Sequence, residues 1–288
     1  PPLFQAEDGI RDPDHSLVGS EMCIRDSIQT TAVQDGDEWV INGHKWFTSG
    51  ARGANFAIVI ARTDPDAEIP QARNSAFIVD CDTPGFEIVR DVETMSGSHN
   101  HCEILYKDVR VPAANLLGER GGGHKLGQVR LGPARLAHCM RWIGEIEMAL
   151  EMLIERAGKR YAHGSLLSEK QSIQWMMSDS AMELYAAKLM VLHAAYKIEN
   201  GMEFKQEVSM AKHHVANTLW RVCDRAVQVH GALGYSTDSP LSGMLQQARW
   251  ARLADGADEV HQMRIAELLM RAYDEQGSIA SAVGGLPL

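Results

Sequence analysis

The feature that most constrains this chain is a change of pattern before its middle. Up to about Pro112 the sequence consists of short extended stretches separated by turn residues, whereas beyond Gly121-Gly122-Gly123 it consists of long stretches rich in Ala, Leu, Met, Glu and Lys. The first pattern is typical of β-strands and the second of amphipathic helices. We therefore predict an α+β fold, with a β domain over residues 28–122 and a helical domain over residues 123–278, followed by a tail over residues 279–288.

Six strands are predicted in the first half from extended stretches bounded by turn signals. They cover residues 28–33, 39–47, 55–62, 75–80, 86–90 and 103–111. Asp35-Gly36 lies between the first two strands, and such a pair supplies the positive φ that a tight hairpin needs. The polar segment 64–74 contains two prolines, so we predict an exposed loop there.

Five helices are predicted in the second half because apolar residues recur there at helical spacing. They cover residues 125–161, 168–200, 205–229, 241–252 and 258–276. Long amphipathic helices joined by short connections favour an antiparallel four-helix bundle.

Residues 1–27 fit neither pattern. They contain Ile-Arg-Asp twice, and their wording resembles translated sequencing-adapter text. We interpret this segment as a non-native leader; the alternative is an ordinary polar leader. The first residue is Pro rather than Met, which suggests a fragment.

The charge and cysteine content of the chain limit which binding partners and locations are expected. The chain has 28 Lys and Arg against 38 Asp and Glu, a net charge of −10 that repels nucleic acid and anionic membranes. Its five cysteines are widely spaced and no apolar run approaches the length of a membrane span, which is about 20 residues. We expect no nucleic-acid partner, no membrane span and no secretion. The expected location is a bacterial cytoplasm, or the mitochondrial matrix in a eukaryote.

Common catalytic and metal-binding motifs are absent. The sequence contains no G-x-x-x-x-G-K-[ST], G-x-G-x-x-G after a strand, H-E-x-x-H or G-x-S-x-G. The cluster at residues 99–102, His-Asn-His-Cys, has metal-ligand types, but on a strand its neighbours would point to opposite faces. The pair His213-His214 is interpreted as surface or packing residues. We expect no metal site.

Two segments could carry chemistry or could be merely structural. Residues 42–51, NGHKWFTSGA, end a strand with an aromatic ring and two hydroxyls, which suit a flat heteroaromatic ligand; the alternative is a plain hairpin strand. Residues 252–261, RLADGADEVH, set Asp255 before a glycine at a helix entrance. The alternative for Asp255 is a helix N-cap, because Asp accepts bonds from helix N–H groups.

Four motifs follow one another as in the acyl-CoA dehydrogenase family, which the chain resembles from residue 28 to about residue 272. They are residues 42–51, residues 111–118 (VPAANLLG), residues 228–235 (QVHGALGY) and residues 254–261 (ADGADEVH). The acidic form of the last motif resembles the branch of family members 10 and 11. The resemblance implies a middle β domain and a C-terminal four-helix domain that bind FAD, with the family's N-terminal helical domain absent.

The resemblance also implies which residues contact FAD. Phe47, Thr48 and Ser49 match positions beside the isoalloxazine ring. Arg160 matches an arginine that meets the pyrophosphate, where a guanidinium offers paired donors. Gln171 matches a glutamine that contacts the cofactor across a dimer interface.

Further matches lie near the ends of the later helices. Gln228, Gly231 and Gly234 match a loop whose small residues let backbone N–H groups approach pyrophosphate, although Ala232 replaces one glycine. Glu259, in the last motif, is also assigned to the cofactor.

For the reaction itself, the resemblance makes Arg135 a residue that lines the acyl-CoA site and Asp255 the catalytic base. The base would remove the α proton of an acyl thioester while hydride leaves the β carbon for the flavin, which yields a trans-2-enoyl-CoA. Burial suits this task because it can raise the pKa of a carboxyl group. Glu145 and Glu147 are the next candidates for the base. The implied partners are an electron-transferring flavoprotein and further copies of the chain, in a homodimer or homotetramer with a shared FAD site.

Two other functions stay open. The same fold could serve a flavin oxidase that deprotonates a different carbon acid. The chain could also be a catalytically incomplete remnant that only oligomerises.

Overall fold

The computed structural model of this chain describes residues 28–97 and 100–283. The chain divides into two compact units, one ending at Leu131 and the other beginning at Gly132. The predicted leader, His99 and the last five residues of the predicted tail lie outside the described residues. The predicted domain limits stay predictions.

The first unit, called the β unit below, is built on a seven-stranded sheet. Its strands are β1 Thr31–Asp35, β2 Glu38–Ser49, β3 Phe56–Arg62, β4 Asn74–Asp80, β5 Phe86–Val92, β6 His101–Pro112 and β7 Leu116–Leu117. Their order in the sheet is β5-β6-β2-β1-β3-β4-β7, and neighbouring strands are antiparallel except β1 and β3. The six predicted strands are all present. The two-residue β7 is too short to give a periodic signal.

Local turn chemistry explains the first hairpin. Asp35 pairs with Glu38, and Gly36 between them has φ 62°, a left-handed conformation that glycine adopts without strain. The predicted loop at 64–74 contains a three-ten turn, Pro70–Arg73, and ends one residue earlier than expected. Asn74 is buried and already belongs to β4.

The sheet packs apolar side chains on both faces because alternate residues of a strand point in opposite directions. On one face Val59 and Phe77 join the main core, where the rings of Trp39 and Phe77 lie 5.2 Å apart. On the other face Ile60 packs with Leu131, which lies in the first long helix. This contact explains why the β unit extends past the glycines at 121–123.

The α-helices of the described residues are α1 Gly123–Lys159, α2 Gln171–Glu199, α3 Lys205–His230, α4 Ala232–Tyr235, α5 Leu241–Ala251 and α6 Asp258–Gln276. Helix α1 begins in the β unit, and the other helices belong to the helical unit. The predicted helical architecture is confirmed. One connection differs from the prediction: residues 160–166 form a hairpin of two short strands, Tyr161–Ala162 and Ser165–Leu166, turning at His163 and Gly164, which both have positive φ. The first helix therefore ends before this hairpin rather than at residue 161, where it was predicted to end.

The core of the helical unit follows the helical period. Cys139, Trp142, Ile146 and Leu153 of α1 are buried at intervals of three, four and seven residues. Helix α3 packs against α2, α5 and α6 and buries residues around most of its circumference. A helix in this position must accommodate its polar residues inside the bundle, and Lys212 is one of them.

Helix α2 also presents apolar side chains to solvent along one face. They are Trp175, Met182, Tyr185, Leu189, Leu192 and Tyr196. Their spacing of three, four or seven residues is that of a helix surface that packs against another helix. None of the helices in the described part of the chain is long and apolar enough to cross a membrane.

Candidate active site

The connection between α5 and α6 is a buried, tightly turned segment. Asp255 has φ 54° and Gly256 has φ 108°, so two successive residues lie at positive φ. The Asp255 side chain is only 1% exposed. Asp is one of the few residues other than glycine that adopts the left-handed conformation readily. The sequence therefore permits a carboxylate to be held inside the unit at this turn.

The alternative interpretation of Asp255 as a helix N-cap is wrong. Helix α6 begins at Asp258, its N-cap is Ala257, and no side chain caps it. Asp255 lies two residues before the cap because the turn 254–257 separates it from the helix. Its burial therefore needs another explanation than capping.

Two residues of α1 contact Asp255. Arg135 Nε donates a hydrogen bond to the Asp255 backbone carbonyl at 2.7 Å, and His138 Nε2 lies 3.0 Å from Asp255 Oδ2. Residues three positions apart share one face of a helix, so both reach the same turn. The structure thus brings together the predicted substrate residue and the predicted base.

Lys212 holds the turn from the other side. Its side chain is fully buried on α3, and its Nζ donates to the carbonyl of Gly256 at 2.5 Å. Burial lowers the pKa of Lys212 to about 8, although the nearby charge of Asp258 opposes this shift. The ammonium thus remains the main form at neutral pH and places a positive charge beside the turn.

Asp258 collects the hydrogen bonds at the start of α6. Arg252 Nε donates to Asp258 Oδ2 at 2.7 Å, Asn217 Nδ2 donates to the same oxygen at 2.9 Å, and His213 Nδ1 lies 3.6 Å from Oδ1. Burial alone would raise the pKa of Asp258, but these donors and the charge of Lys212 lower it well below its usual range. Asp258 is therefore an anion that ties α3, α5 and α6 together.

His261 follows one turn later and is buried. Burial lowers the pKa of His261 to about 3, and the positive charges of Lys212 and Arg135 lower it further in the same direction. The ring is consequently neutral across the physiological range. The turn is thus surrounded by groups whose charge states differ from those of exposed residues.

The alternative bases have different environments. Glu147 forms an ion pair with Lys188 and is nearly half exposed. Burial raises the pKa of Glu145, which is partly offset by Arg141.

In the β unit, the predicted flavin contacts lie at an irregularity of β2. The pairing of β2 with β6 shifts between Lys45 and Thr48, and Phe47 takes up the extra residue with φ 65°. The Phe47 ring stacks on the His101 ring, with centroids 4.0 Å apart and planes 13° from parallel. Ser49 Oγ hydrogen-bonds His101 Nδ1.

Thr48 stands out within this bulge. Its side chain is 3% exposed, and its Oγ1 is buried with no hydrogen-bond partner among the residues the structure describes. A buried hydroxyl without a partner is costly in free energy. A polar ligand atom at this position would satisfy it.

The predicted phosphate loop follows α3. Gly231 ends the helix with φ 65°, and a Cβ placed there would meet nothing within 4 Å. Gly234 is buried, and a Cβ there would lie 2.7 Å from the carbonyl of Val227, so packing on α3 requires glycine. Gln228 is exposed on the last turn of α3. The backbone at Gly231 is accessible, as a phosphate contact would need.

The other predicted cofactor residues are scattered over the helical unit. Arg160 is exposed just after α1, Gln171 is exposed at the start of α2, and Glu259 is exposed in the first turn of α6. Within the part of the chain that the structure describes, no hydrogen bond or ion pair joins any two of them. Their assignment to FAD stays a prediction.

The sequence analysis did not identify His138 and Lys212 as residues of the candidate site. His138 lies one helical turn after Arg135, so a search along that helix face would have found it. Lys212 lies four residues after Val208 and three before Val215, both buried, so it occupies an apolar stripe of α3. A lysine at such a position is a detectable signal. Across residues 28–97 and 100–283, no group of three His, Cys, Asp or Glu side chains could hold a metal ion.

Comparisons with known proteins cover nearly the whole chain. Residues 18–109 match the middle domain of acyl-CoA dehydrogenase, and residues 121–270 match its C-terminal domain. The Mycobacterium tuberculosis protein named Probable acyl-CoA dehydrogenase FadE2 is 42% identical over 263 residues, which are 89% of this chain and 64% of that protein. Acyl-CoA dehydrogenase family member 11 of Mus musculus is 36% identical over 250 residues, 84% of this chain and 32% of that protein.

A solved structure supports the same relationship. Butyryl-CoA dehydrogenase from Megasphaera elsdenii superposes with a TM-score of 0.81 at 30% identity, over 91% of this chain and 67% of that one. The chain therefore spans less than two thirds of each of these two sequence relatives, and the expected resemblance to family member 11 is confirmed. On these matches, the chain belongs to the acyl-CoA dehydrogenase family.

Proposed function

We propose that this chain is the FAD- and substrate-binding part of an acyl-CoA dehydrogenase in which Asp255 is the base that removes the α proton of an acyl-CoA thioester. The observation that carries the proposal is the carboxylate of Asp255, 1% exposed and held by two residues of α1 on a turn at positive φ. The family relationship supports the class of reaction.

The residues present suit FAD in each unit taken by itself. In the β unit, the buried Thr48 hydroxyl needs a polar partner, and the preceding residue, Phe47, carries an aromatic ring that stacks on His101. In the helical unit, Gly231 leaves backbone accessible, and Arg160 supplies an exposed cation for a phosphate. When bound, FAD would accept the hydride from the β carbon of the substrate.

The chain's own groups would manage the proton. Asp255 would take it from the α carbon, and the low exposure of its carboxylate keeps water from competing for it. Arg135 would fix the Asp255 backbone, since its guanidinium bonds the carbonyl directly. A rigidly held base abstracts the proton faster than a mobile one, because small displacements of reacting groups lower the reaction rate strongly.

Electron transfer and assembly belong to the same proposal. We expect the electrons to pass to an electron-transferring flavoprotein. We also expect a homodimer or homotetramer, and the exposed apolar face of α2 supports such an assembly.

The test compares Asp255→Asn with the parent protein, both loaded with FAD. Asn tolerates the left-handed conformation, so the turn should survive while the proton acceptor is lost. We expect anaerobic flavin reduction by butyryl-CoA, followed by stopped-flow absorbance, to slow by roughly 10²- to 10⁴-fold. Asp238→Asn, a change at an exposed carboxylate of the same unit, is the matched control and should keep the parent rate.

An unchanged rate in Asp255→Asn would remove Asp255 from the mechanism and make Glu145 the next base to test. The electron acceptor is identified in the same experiment: O₂ or an electron-transferring flavoprotein is added to the reduced protein, and the rate of flavin reoxidation is measured. Rapid reoxidation by O₂ alone would favour the flavin oxidase instead.

A further inference from the structure

His138 links the candidate base to a second charged group of α1. Its Nε2 lies 3.0 Å from Asp255 Oδ2, and its Nδ1 lies 2.7 Å from Arg141 Nη2. Arg141 is one helical turn after His138, so the three groups form a chain from the exposed edge of α1 to the buried carboxylate. His138 lies in none of the four family motifs, which cover residues 42–51, 111–118, 228–235 and 254–261.

The chain of contacts determines which ring nitrogen carries the proton. A guanidinium can only donate hydrogen bonds, so Nδ1 beside Arg141 must be the acceptor. In a neutral ring the single proton is then on Nε2, the nitrogen that lies 3.0 Å from Asp255 Oδ2. The two neighbours therefore select the same tautomer from opposite sides of the ring.

Two indole rings hold the imidazole in this orientation. The His138 ring stacks on Trp142 at 5.3 Å with planes 28° apart, and it meets Trp250 edge-on at 5.9 Å. Trp142 is buried, so the stacked partner cannot move easily. The imidazole plane is thus fixed by packing as well as by the hydrogen bond from Arg141.

We propose that His138 is a positioning residue for Asp255, a neutral imidazole whose Nε2, 3.0 Å from Oδ2, fixes the carboxylate for proton abstraction. This inference rests on the proposed function. A neutral donor orients the carboxylate while leaving it ionised and basic, whereas an imidazolium would weaken the base.

The tautomer can be measured without cofactor or turnover. In the full chain labelled with ¹⁵N-histidine, the NMR shifts of the His138 ring nitrogens at neutral pH should show a protonated Nε2 and a bare Nδ1. Arg141→Met removes the donor to Nδ1, so it should increase the population of the other tautomer. A parent ring protonated on Nδ1 alone or on both nitrogens would overturn the proposal.

The positioning role is read from kinetics in the FAD-loaded protein. His138→Phe keeps a ring against Trp142 but loses the donor, and we expect flavin reduction by butyryl-CoA to slow by roughly 10- to 100-fold, the scale of a hydrogen bond to a charged group. The dissociation constant for butyryl-CoA should not change, because His138 contacts the base rather than the thioester. His138→Gln presents an amide N–H and should recover most of the rate.

Two outcomes overturn this inference. A His138→Phe protein that is as fast as the parent would mean that ring packing alone matters, and a His138→Gln protein that is as slow as His138→Phe would mean that an N–H donor does not restore the rate. Either result together with a slow Asp255→Asn protein leaves the proposed function intact. A fast Asp255→Asn protein removes the proposed base itself, while the NMR result still reports the His138 tautomer.

Discussion

Phe47 in the β unit and Asp255 in the helical unit share an unusual backbone but are held by different forces. Both are non-glycine residues at positive φ, 65° and 54°. Phe47 is held by the irregular pairing of β2 with β6 and by stacking on His101. Asp255 is held by Arg135 and His138, and its turn by Lys212. One turn therefore depends on backbone pairing and ring contacts, and the other on buried charges.

The difference predicts different responses to pH and mutation. The backbone pairing that holds Phe47 carries no charge, whereas Asp258, Lys212 and His261 around the second turn all have shifted pKa values. Buried charges also depend on one another, because removing one leaves its partner unsatisfied in a low-dielectric environment. We expect the helical unit to be the more sensitive of the two.

The largest effect should come from neutralising Asp258. Asp258→Asn leaves Arg252 and Lys212 without their anion, and breaking a buried ion pair in this way costs about 3 kcal/mol or more. We expect urea unfolding, followed by tryptophan fluorescence, to show this loss. Asp238→Asn is the exposed control, and equal midpoints for the two variants would show that the Asp258 network does not stabilise the helical unit.

Acid should destabilise the helical unit through His261. The unfolded chain binds a proton near the ordinary pKa of 6.5, whereas the folded chain binds it only near pH 3. Stability should therefore be complete above about pH 6.5 and fall by roughly 1.4 kcal/mol per pH unit as the pH drops toward 3. His261→Phe cannot bind the proton, so its unfolding free energy should depend less steeply on pH; an unchanged slope would contradict the assignment.

Substitution of Arg160 tests whether an exposed charge of the helical unit binds a ligand rather than stabilises the fold. Arg160→Ala should weaken FAD retention by roughly 10- to 100-fold, because a charged hydrogen bond to pyrophosphate is lost. Thermal melts of the FAD-free protein should not change, since Arg160 is exposed. The neighbouring Lys159→Ala is the matched control for charge. If both variants retain FAD equally in fluorescence titrations, Arg160 does not contact the cofactor.

The smallest effect is expected at Phe47. Phe47→Gly loses the ring stack, worth about 0.5–1.5 kcal/mol, but relieves the cost of a positive φ, about 1–2 kcal/mol, so the net change should be within about 1 kcal/mol. Phe47→Val loses the stack and keeps the strain, and it should be clearly less stable. Chemical denaturation followed by circular dichroism compares them. Equal stability of the two variants would show that the backbone at Phe47 is not strained.

An element could be predicted from the sequence when the interactions that form it join residues close together in the chain. The hairpin at Gly36 and the five long helices depend on turn residues and apolar spacing close in sequence, so they were predicted to within a few residues. The hairpin at 160–166 was not predicted, because its strands are only two residues long. The predicted first helix therefore ends at residue 161, two residues beyond the observed end of α1 at Lys159.

The sequence by itself determined the two-part organisation, the family, and Asp255 as the candidate base, because motifs and periodicity are local properties. Only the tertiary structure decided what surrounds Asp255. Arg135 and His138 lie 120 and 117 residues before Asp255 in the chain, and Lys212 lies 44 residues before Gly256. They meet at one turn only after α1, α3 and α5 have packed. The charge states at that turn follow from burial and proximity, which no stretch of sequence contains.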